Sequence, residues 1–255
     1  MSDNQKLSDR PSAVGLTVFV PCYNEEKLIA LTLDHIQEAF EGFQFSYEVL
    51  IYDDASTDRS AEAIQAYVRS HHLEQRITLA TNAENRGIGV NYFRAAERGR
   101  GEYFIVVAGD DGEPVETLRR VVSLMGKADV IIPYFDTRLF NLRLNGDNRV
   151  FSRRLISICF ASLVRLLSGI HLHYFNGCIL HRRENVLKYR VQTYGLGYQA
   201  EMLCKILSNP EVRFLEVKVY NQDRMSGKTT AFKPKNVVSV IASFGRILAN
   251  RRQSG

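Results

Sequence analysis

The sequence lacks the features that mark membrane-spanning, secreted and disulfide-rich proteins. No uncharged apolar run reaches about 18 residues, so we expect no transmembrane helix. Residues 1–12 are polar, so we expect a disordered leader and no signal peptide. None of the cysteines belongs to a C-x-x-C pair, which favours a reduced, cytosolic chain over a disulfide scaffold or zinc site. The cysteines are Cys22, Cys159, Cys178 and Cys204.

Nucleotide-binding and nucleic-acid motifs are also missing. There is no G-x-G-x-x-G or Walker loop, and the first strand is not followed by the glycine-rich loop expected of a nucleotidyltransferase. A formal net charge of +5 makes the chain mildly basic. This charge fits a polyanionic ligand or an anionic membrane surface. Because the excess is small and no recognition motif accompanies it, we expect no nucleic-acid partner.

Short apolar runs alternate with helical patterns along the first half. This alternation predicts an α/β fold in which a mostly parallel sheet carries helices on both faces. The predicted strands are residues 16–20, 47–52, 77–79, 103–107 and 129–132.

Two adjacent acids follow the most continuous of these runs, residues 103–107. Asp110 and Asp111 come directly after Gly109, at the end of a predicted buried strand. Neighbouring carboxylates repel, so they suit a cation or exposure to water. Hard divalent ions bind carboxylate oxygens and often share them with substrate phosphates. The alternative is a simple turn, because Asp and Gly favour turns.

Polar residues follow three of the predicted strands. In a parallel sheet these clusters meet at one edge, where carboxylates can bind a base and ribose hydroxyls and a metal can neutralise a diphosphate. The alternative for each cluster is a helix cap or turn, with Asn24 as an N-cap. The clusters are Tyr23, Asn24 and Glu25; Asp53 and Asp54; and Asp110 and Asp111.

Three segments resemble glycosyltransferase family 2: VFVPCYNEEKLI (18–29), VLIYDDASTDRSAEAI (49–64) and NRGIGVNYFRAAERGRGEYFIVVAGDDGEP (85–114). The resemblance implies a GT-A fold and transfer of a sugar from a nucleotide-sugar, with Mg²⁺ or Mn²⁺ and inversion at the anomeric carbon. It implies that Asp110 lies at the metal and diphosphate. The expected donor-binding residues are Pro21, Tyr23, Asn24, Glu25, Asp53, Asp54, Arg86 and Gly109.

The acidic signature departs from the family pattern at one position. The family has Asp-x-Asp, and here Ala108 takes the first place while Asp110 takes the second. We expect either that Asp111 substitutes as a metal ligand or that the metal is held more weakly. The departure also motivates an alternative in which the protein binds a nucleotide-sugar with little catalysis.

The second half resembles the polyprenyl-phosphate sugar synthase branch of this family in residues 155–170, 173–185, 194–207 and 219–232. Asp223, Arg224 and Gly227 match a branch motif, whereas His173 replaces an expected Asp. The resemblance implies a polyprenyl phosphate acceptor. Two amphipathic helices with basic flanks favour peripheral attachment to the inner face of the membrane. Attachment without a membrane span suggests an integral membrane partner.

Several basic and acidic residues of this half are candidates for chemistry. Arg149 and Arg153 are candidates for binding an acceptor phosphate, and Arg224 and Lys228 for closing over the donor phosphates. Glu201 is the candidate general base if the acceptor is a glycan or another hydroxyl. A lipid phosphate oxygen is already anionic and needs no base. The alternative for Glu201 is an exposed helical residue.

Two amphipathic helices are expected in the second half. The helix at 155–170 belongs either to the core or to a membrane interface. The basic residues that precede it favour the membrane interface. A second amphipathic helix after Pro234 should carry its apolar residues on one side. We assign 13–133 to the donor half and 134–235 to the acceptor half of one GT-A domain, with a basic helix at 236–255. The residues on that apolar side are Val237, Val240, Ile241, Phe244 and Leu248, and we expect His35, His71, His72 and His181 at the surface or at helix ends.

Overall fold

The computed structural model of the protein describes residues 15–135, 151–193, 195–219 and 234–254. Within them the strands are β1 (Leu16–Cys22), β2 (Tyr47–Asp53), β3 (Ile77–Thr81), β4 (Tyr103–Val106), β5 (Val130–Tyr134), β6 (Leu180–Arg182) and β7 (Phe214–Lys218). The helices are α1 (Ile29–Phe40), α2 (Ser60–Ser70), α3 (Ile88–Arg98), α4 (Val115–Val122), α5 (Phe151–Ser168), α6 (Arg183–Lys188), α7 (Tyr198–Leu207) and α8 (Pro234–Ser254).

The described strands form one sheet in the order β3-β2-β1-β4-β6-β5-β7. β1 pairs in parallel with both β2 and β4, and Cys22 is in register with Asp53. Among these strands only β6 runs against its neighbours, so the predicted mostly parallel α/β sheet is confirmed. The C-terminal ends of β1, β2 and β4 therefore lie side by side, and we call this region the carboxyl edge.

The sheet has an apolar layer on each face. Val18 and Val20 of β1 belong to the layer that contains Ile29 of α1. Phe19 belongs to the opposite layer, where its ring centroid lies 6.0 Å from that of Tyr92 of α3. Since both faces are covered, β1 is apolar on both sides rather than alternating between apolar and polar residues.

The start of α1 differs from the prediction. The helix begins at Ile29, and Asn24 is not its N-cap. Asn24 instead has a left-handed backbone with φ 59°, and its Oδ1 accepts a hydrogen bond from the Thr57 backbone N–H at 2.7 Å. The side chain therefore bonds the loop after β2, a contact between distant parts of the chain that the local N-cap pattern does not reveal.

The expected surface position of His181 is wrong. This residue lies on β6, between β4 and β5, and its side chain is fully buried. The antiparallel strand is only three residues long, too short for its sequence pattern to indicate that it lies inside the sheet.

α5 and α8 pack together, with the ring centroids of Phe160 and Phe244 5.6 Å apart. Along α8, Ile241 of the predicted apolar side is 62% exposed, whereas Ser243 and Ile247 are buried. The side chain of Val237 lies outside the described residues. Gly197 accounts for the burial of Ser243, since a Cβ at Gly197 would lie 2.0 Å from its Oγ. Among the described residues, no helix is long and apolar enough to cross a membrane.

Candidate functional site

The loops that follow β1, β2 and β4 are joined at the carboxyl edge. The Asp54 backbone N–H donates to the Cys22 carbonyl at 2.8 Å, and the Gly109 N–H donates to the Pro21 carbonyl at 3.2 Å. A Cβ at Gly109 would lie 2.8 Å from that Pro21 oxygen, so the close approach needs glycine. The structure thus brings together the polar clusters that the sequence predicted at one edge.

Side chains of the loop after β2 hold the loop after β1. The Asn24 N–H donates to Ser56 Oγ at 2.9 Å, and the Glu25 N–H donates to Ser60 Oγ at 2.8 Å. Tyr23 precedes these anchored residues and is 46% exposed. The backbone beside the candidate site is thereby fixed while an aromatic ring stays accessible.

Asp53 is buried at the end of β2. Its Oδ1 accepts hydrogen bonds from the Ser56 backbone N–H at 3.1 Å and from the Ser56 hydroxyl. Both bonds use the same oxygen within the described part of the chain. Oδ2 is therefore the oxygen of Asp53 that can accept a bond from a ligand.

Asp54 organises the loop that leads into α3. Its Oδ1 accepts bonds from Asn82 Nδ2 and the Arg86 N–H, both at 2.8 Å. Its Oδ2 accepts a bond from the Gly87 N–H at 2.9 Å. These bonds use both carboxylate oxygens on the protein itself, and they place Arg86 at the carboxyl edge with its side chain exposed.

The two acids after β4 have different surroundings. Asp110 is buried, and the Asp111 carboxylate contacts α1, where its Oδ1 lies 2.6 Å from His35 Nδ1. The Asp111 N–H also donates to Thr32 Oγ1 at 3.1 Å. Burial raises the pKa of Asp111, and the neighbouring His35 opposes that rise. The predicted metal role of Asp111 stays a prediction.

Glu113 is a site candidate that the sequence reasoning missed. Its Oε2 accepts a hydrogen bond from the Ala108 N–H at 3.2 Å, so its carboxylate reaches back across the turn. Burial raises the pKa of Cys178 and of Tyr198, and the charge of Glu113 adds to both effects. The sequence feature that could have identified Glu113 is its position as a third acid, three residues after Asp110.

Glu201 is not the exposed helical residue considered as an alternative, because only 1% of it is exposed. Its Oε2 accepts a bond from Arg246 Nε at 2.9 Å and another from the Thr193 hydroxyl. Arg246 Nη2 also donates to Thr193 Oγ1 at 2.6 Å. These contacts join α7 to α8, and the predicted base role of Glu201 stays a prediction.

The carboxylates at the carboxyl edge carry oxygen atoms, the ligand type that hard divalent cations bind. The described residues contain no group of three or more His, Cys, Asp or Glu side chains that could hold a metal. Mg²⁺, however, is commonly held by one or two carboxylates together with substrate phosphates and water. Asp110 and Glu113 supply such carboxylates on one turn.

The predicted phosphate-binding residues of the second half fall outside the part of the chain that the structure describes. This holds for Arg149, for Arg224 and Lys228, and for the side chain of Arg153. Their roles stay predictions.

Two of the curated proteins that are similar in sequence to this chain act on polyprenyl-type phosphates, as their names state. Dolichyl-phosphate beta-glucosyltransferase of Dictyostelium discoideum is 30% identical over 121 residues, which cover 46% of this chain and 37% of that protein. Dodecaprenyl-phosphate galacturonate synthase of Rhizobium johnstonii is 22% identical over 181 residues, or 71% and 51% of the two chains. The chain thus spans about half or less of the length of these relatives.

Structural and family comparisons agree. The structure of glucosyl-3-phosphoglycerate synthase from Mycobacterium tuberculosis, in complex with Mn²⁺, uridine-diphosphate and phosphoglyceric acid, has a TM-score of 0.68 at 15% identity. The match covers 92% of this chain and 78% of that one, and it confirms the predicted GT-A fold. The family described as Glycosyl transferase family 2 matches residues 17–190. The chain therefore belongs to glycosyltransferase family 2, as its sequence motifs predicted.

Proposed function

We propose that the protein transfers a sugar from a nucleotide-diphosphate sugar to a polyprenyl phosphate at a membrane surface, with inversion at the anomeric carbon. The observation that carries the proposal is the junction of three loops at the carboxyl edge. There Asp53 ends β2 and Asp110 follows β4, and these two strands flank β1. Open α/β sheets bind ligands at this end of their strands. The names of the two curated relatives support the choice of a lipid phosphate acceptor.

In this proposal, separate groups of residues bind the nucleoside and the diphosphate of the donor. Tyr23 lies against the base, and Asp53 Oδ2 accepts a bond from the nucleoside. Asp110 holds the divalent cation, which when bound neutralises charge on the diphosphate. The predicted Arg224 and Lys228 complete the phosphate site. Because the loops are fixed before the donor arrives, little reorganisation accompanies the development of charge.

The burial of Glu201 supports a phosphate rather than a hydroxyl acceptor. A hydroxyl needs a base within reach, and Glu201 is only 1% exposed, where it is ion-paired with Arg246 between α7 and α8. A phosphate oxygen attacks without losing a proton. Glu201→Gln should therefore reduce turnover far less than Asp110→Asn; near-complete inactivation of Glu201→Gln would instead favour the hydroxyl acceptor.

Membrane association is part of the proposal. α5 and α8 pack together and leave several large apolar side chains exposed. We call this group the apolar face. Exposed apolar side chains on amphipathic helices favour insertion into a lipid interface. The apolar face consists of Leu155, Ile156, Leu163, Leu166, Val238 and Ile241.

Transfer from labelled nucleotide-sugars to a polyprenyl phosphate tests the proposal, after thermal-shift screening selects the donor with Mn²⁺ or Mg²⁺. Asp110→Asn should abolish transfer. Glu97→Gln, a change of an exposed acid on α3, is the matched control and should retain activity. Full transfer by Asp110→Asn, or no nucleotide binding by the unaltered protein, would contradict the proposal.

A further inference from the structure

In the turn after β4, the carboxylate of Asp111 contacts α1. Asp111 has a left-handed backbone with φ 55°, a conformation that residues other than glycine rarely adopt. Contacts from one turn of α1 hold it there: Thr32 Oγ1 bonds the Asp111 N–H, and His35 Nδ1 lies 2.6 Å from Asp111 Oδ1. The Asp111 carboxylate therefore anchors the turn to α1.

The side chain of Glu113 reaches back toward Ala108, the position at which the family's first Asp is missing. Ala108 occupies the place of the family's first Asp, and Glu113 Oε2 lies 3.2 Å from the Ala108 backbone nitrogen. The Glu side chain is longer than that of Asp, which allows it to span the turn.

We propose that the divalent cation of the donor complex is held by Asp110 and Glu113 rather than by Asp110 and Asp111, an assignment that rests on the proposed function. Asp111, Thr32 and His35 are positioning residues that fix the turn. Two carboxylates leave the remaining cation positions to diphosphate oxygens and water, as is usual for Mg²⁺. The loss of the acid at position 108 is then compensated within the same turn.

Mn²⁺ binding by the full chain in the presence of uridine or guanosine diphosphate tests this assignment, measured by calorimetry and by the Mn²⁺ electron paramagnetic resonance signal. Asp110→Asn and Glu113→Gln should each weaken Mn²⁺ binding at least tenfold. Asp111→Asn keeps the side-chain shape and should change Mn²⁺ affinity less than threefold. A larger loss in Asp111→Asn than in Glu113→Gln would overturn the assignment.

A rescue experiment separates a direct role of Glu113 from a structural one. Ala108→Asp introduced into Glu113→Gln should recover most of the lost Mn²⁺ affinity, and no recovery would count against the proposal. For the anchor, His35→Leu should weaken Mn²⁺ binding severalfold. His35→Asn, whose Nδ2 can replace Nδ1, should restore it; equal Mn²⁺ affinity in both variants would refute the positioning role.

Diphosphate binding by the unaltered protein separates the Glu113 assignment from the proposed donor site. If the unaltered protein binds nucleoside diphosphate in a Mn²⁺-dependent way but Glu113→Gln binds equally well, only the Glu113 assignment is wrong. If the unaltered protein binds neither diphosphate with Mn²⁺, both proposals are wrong.

Discussion

Arg246 Nε lies 2.9 Å from Glu201 Oε2, and this ion pair joins α8 to α7. The Glu201 carboxylate is buried, whereas the Arg246 side chain is 42% exposed. Removing one partner of such a pair leaves the other charge buried without compensation. The pair therefore makes the last described helix part of the folded unit.

Arg246→Ala should lower the free energy of unfolding by about 2 kcal/mol, less than for a fully buried pair because Arg246 is partly exposed. Urea denaturation measures the change. The control is Arg190→Ala, which removes a pair between exposed side chains and should cost less than about 1 kcal/mol. Equal losses in the two variants would contradict a special role for the Glu201 pair.

His181 should make the protein sensitive to acid. It lies on a central strand of the sheet, and burial lowers its pKa from 6.5 to about 3. Below pH 6.5 the unfolded chain gains a proton that the folded chain does not, so stability falls as pH decreases toward 3. The expected loss is about 2 kcal/mol at pH 5, measured by urea denaturation across pH.

Replacing His181 by Leu should flatten this pH dependence. Neither ring nitrogen has a hydrogen-bond partner among the described residues, so an apolar side chain should not lower stability at pH 7. His171→Leu changes an exposed histidine and should keep the original slope. A similar slope in His181→Leu and the unaltered protein would exclude His181 as the cause.

Ala55→Gly should raise stability. Ala55 has φ 62°, in the left-handed region that glycine adopts without a steric penalty. The greater freedom of glycine in the unfolded chain offsets part of the gain, so we expect about 0.5 kcal/mol in urea denaturation. Ala66→Gly, in the exposed middle of α2, should instead cost about 1 kcal/mol. Destabilisation in both variants would contradict the expected strain at Ala55.

Charges placed on the apolar face should weaken membrane binding. The double change Leu166→Asp and Ile241→Asp should reduce binding to vesicles containing phosphatidylglycerol at least tenfold, because burying a charge in the lipid interface is unfavourable. Flotation of vesicles measures the bound fraction. Leu187→Asp on α6 is the control and should bind as the unaltered protein does. Undiminished binding by the double variant would exclude the apolar face.

Local patterns in the sequence determined much of the fold. The alternation of strands and helices predicted a mostly parallel sheet. The polar residues after β1, β2 and β4 predicted that these residues share one edge of it. Both predictions were possible because hydrophobic periodicity and strand ends can be recognised from residues that are close together in the chain. The buried side of α1 also follows a local pattern, since Ile29, Leu33 and Ile36 recur at helical spacing.

Only the tertiary structure decided which side chains meet. The antiparallel position of β6 placed His181 in the core, although its sequence suggested a surface residue. Contacts between distant segments joined Asn24 to Thr57, Asp111 to His35 and Glu201 to Arg246. Such contacts depend on the relative placement of whole elements, which no local pattern records. The sequence thus determined where acids lie along the chain, and packing determined which partner each one has.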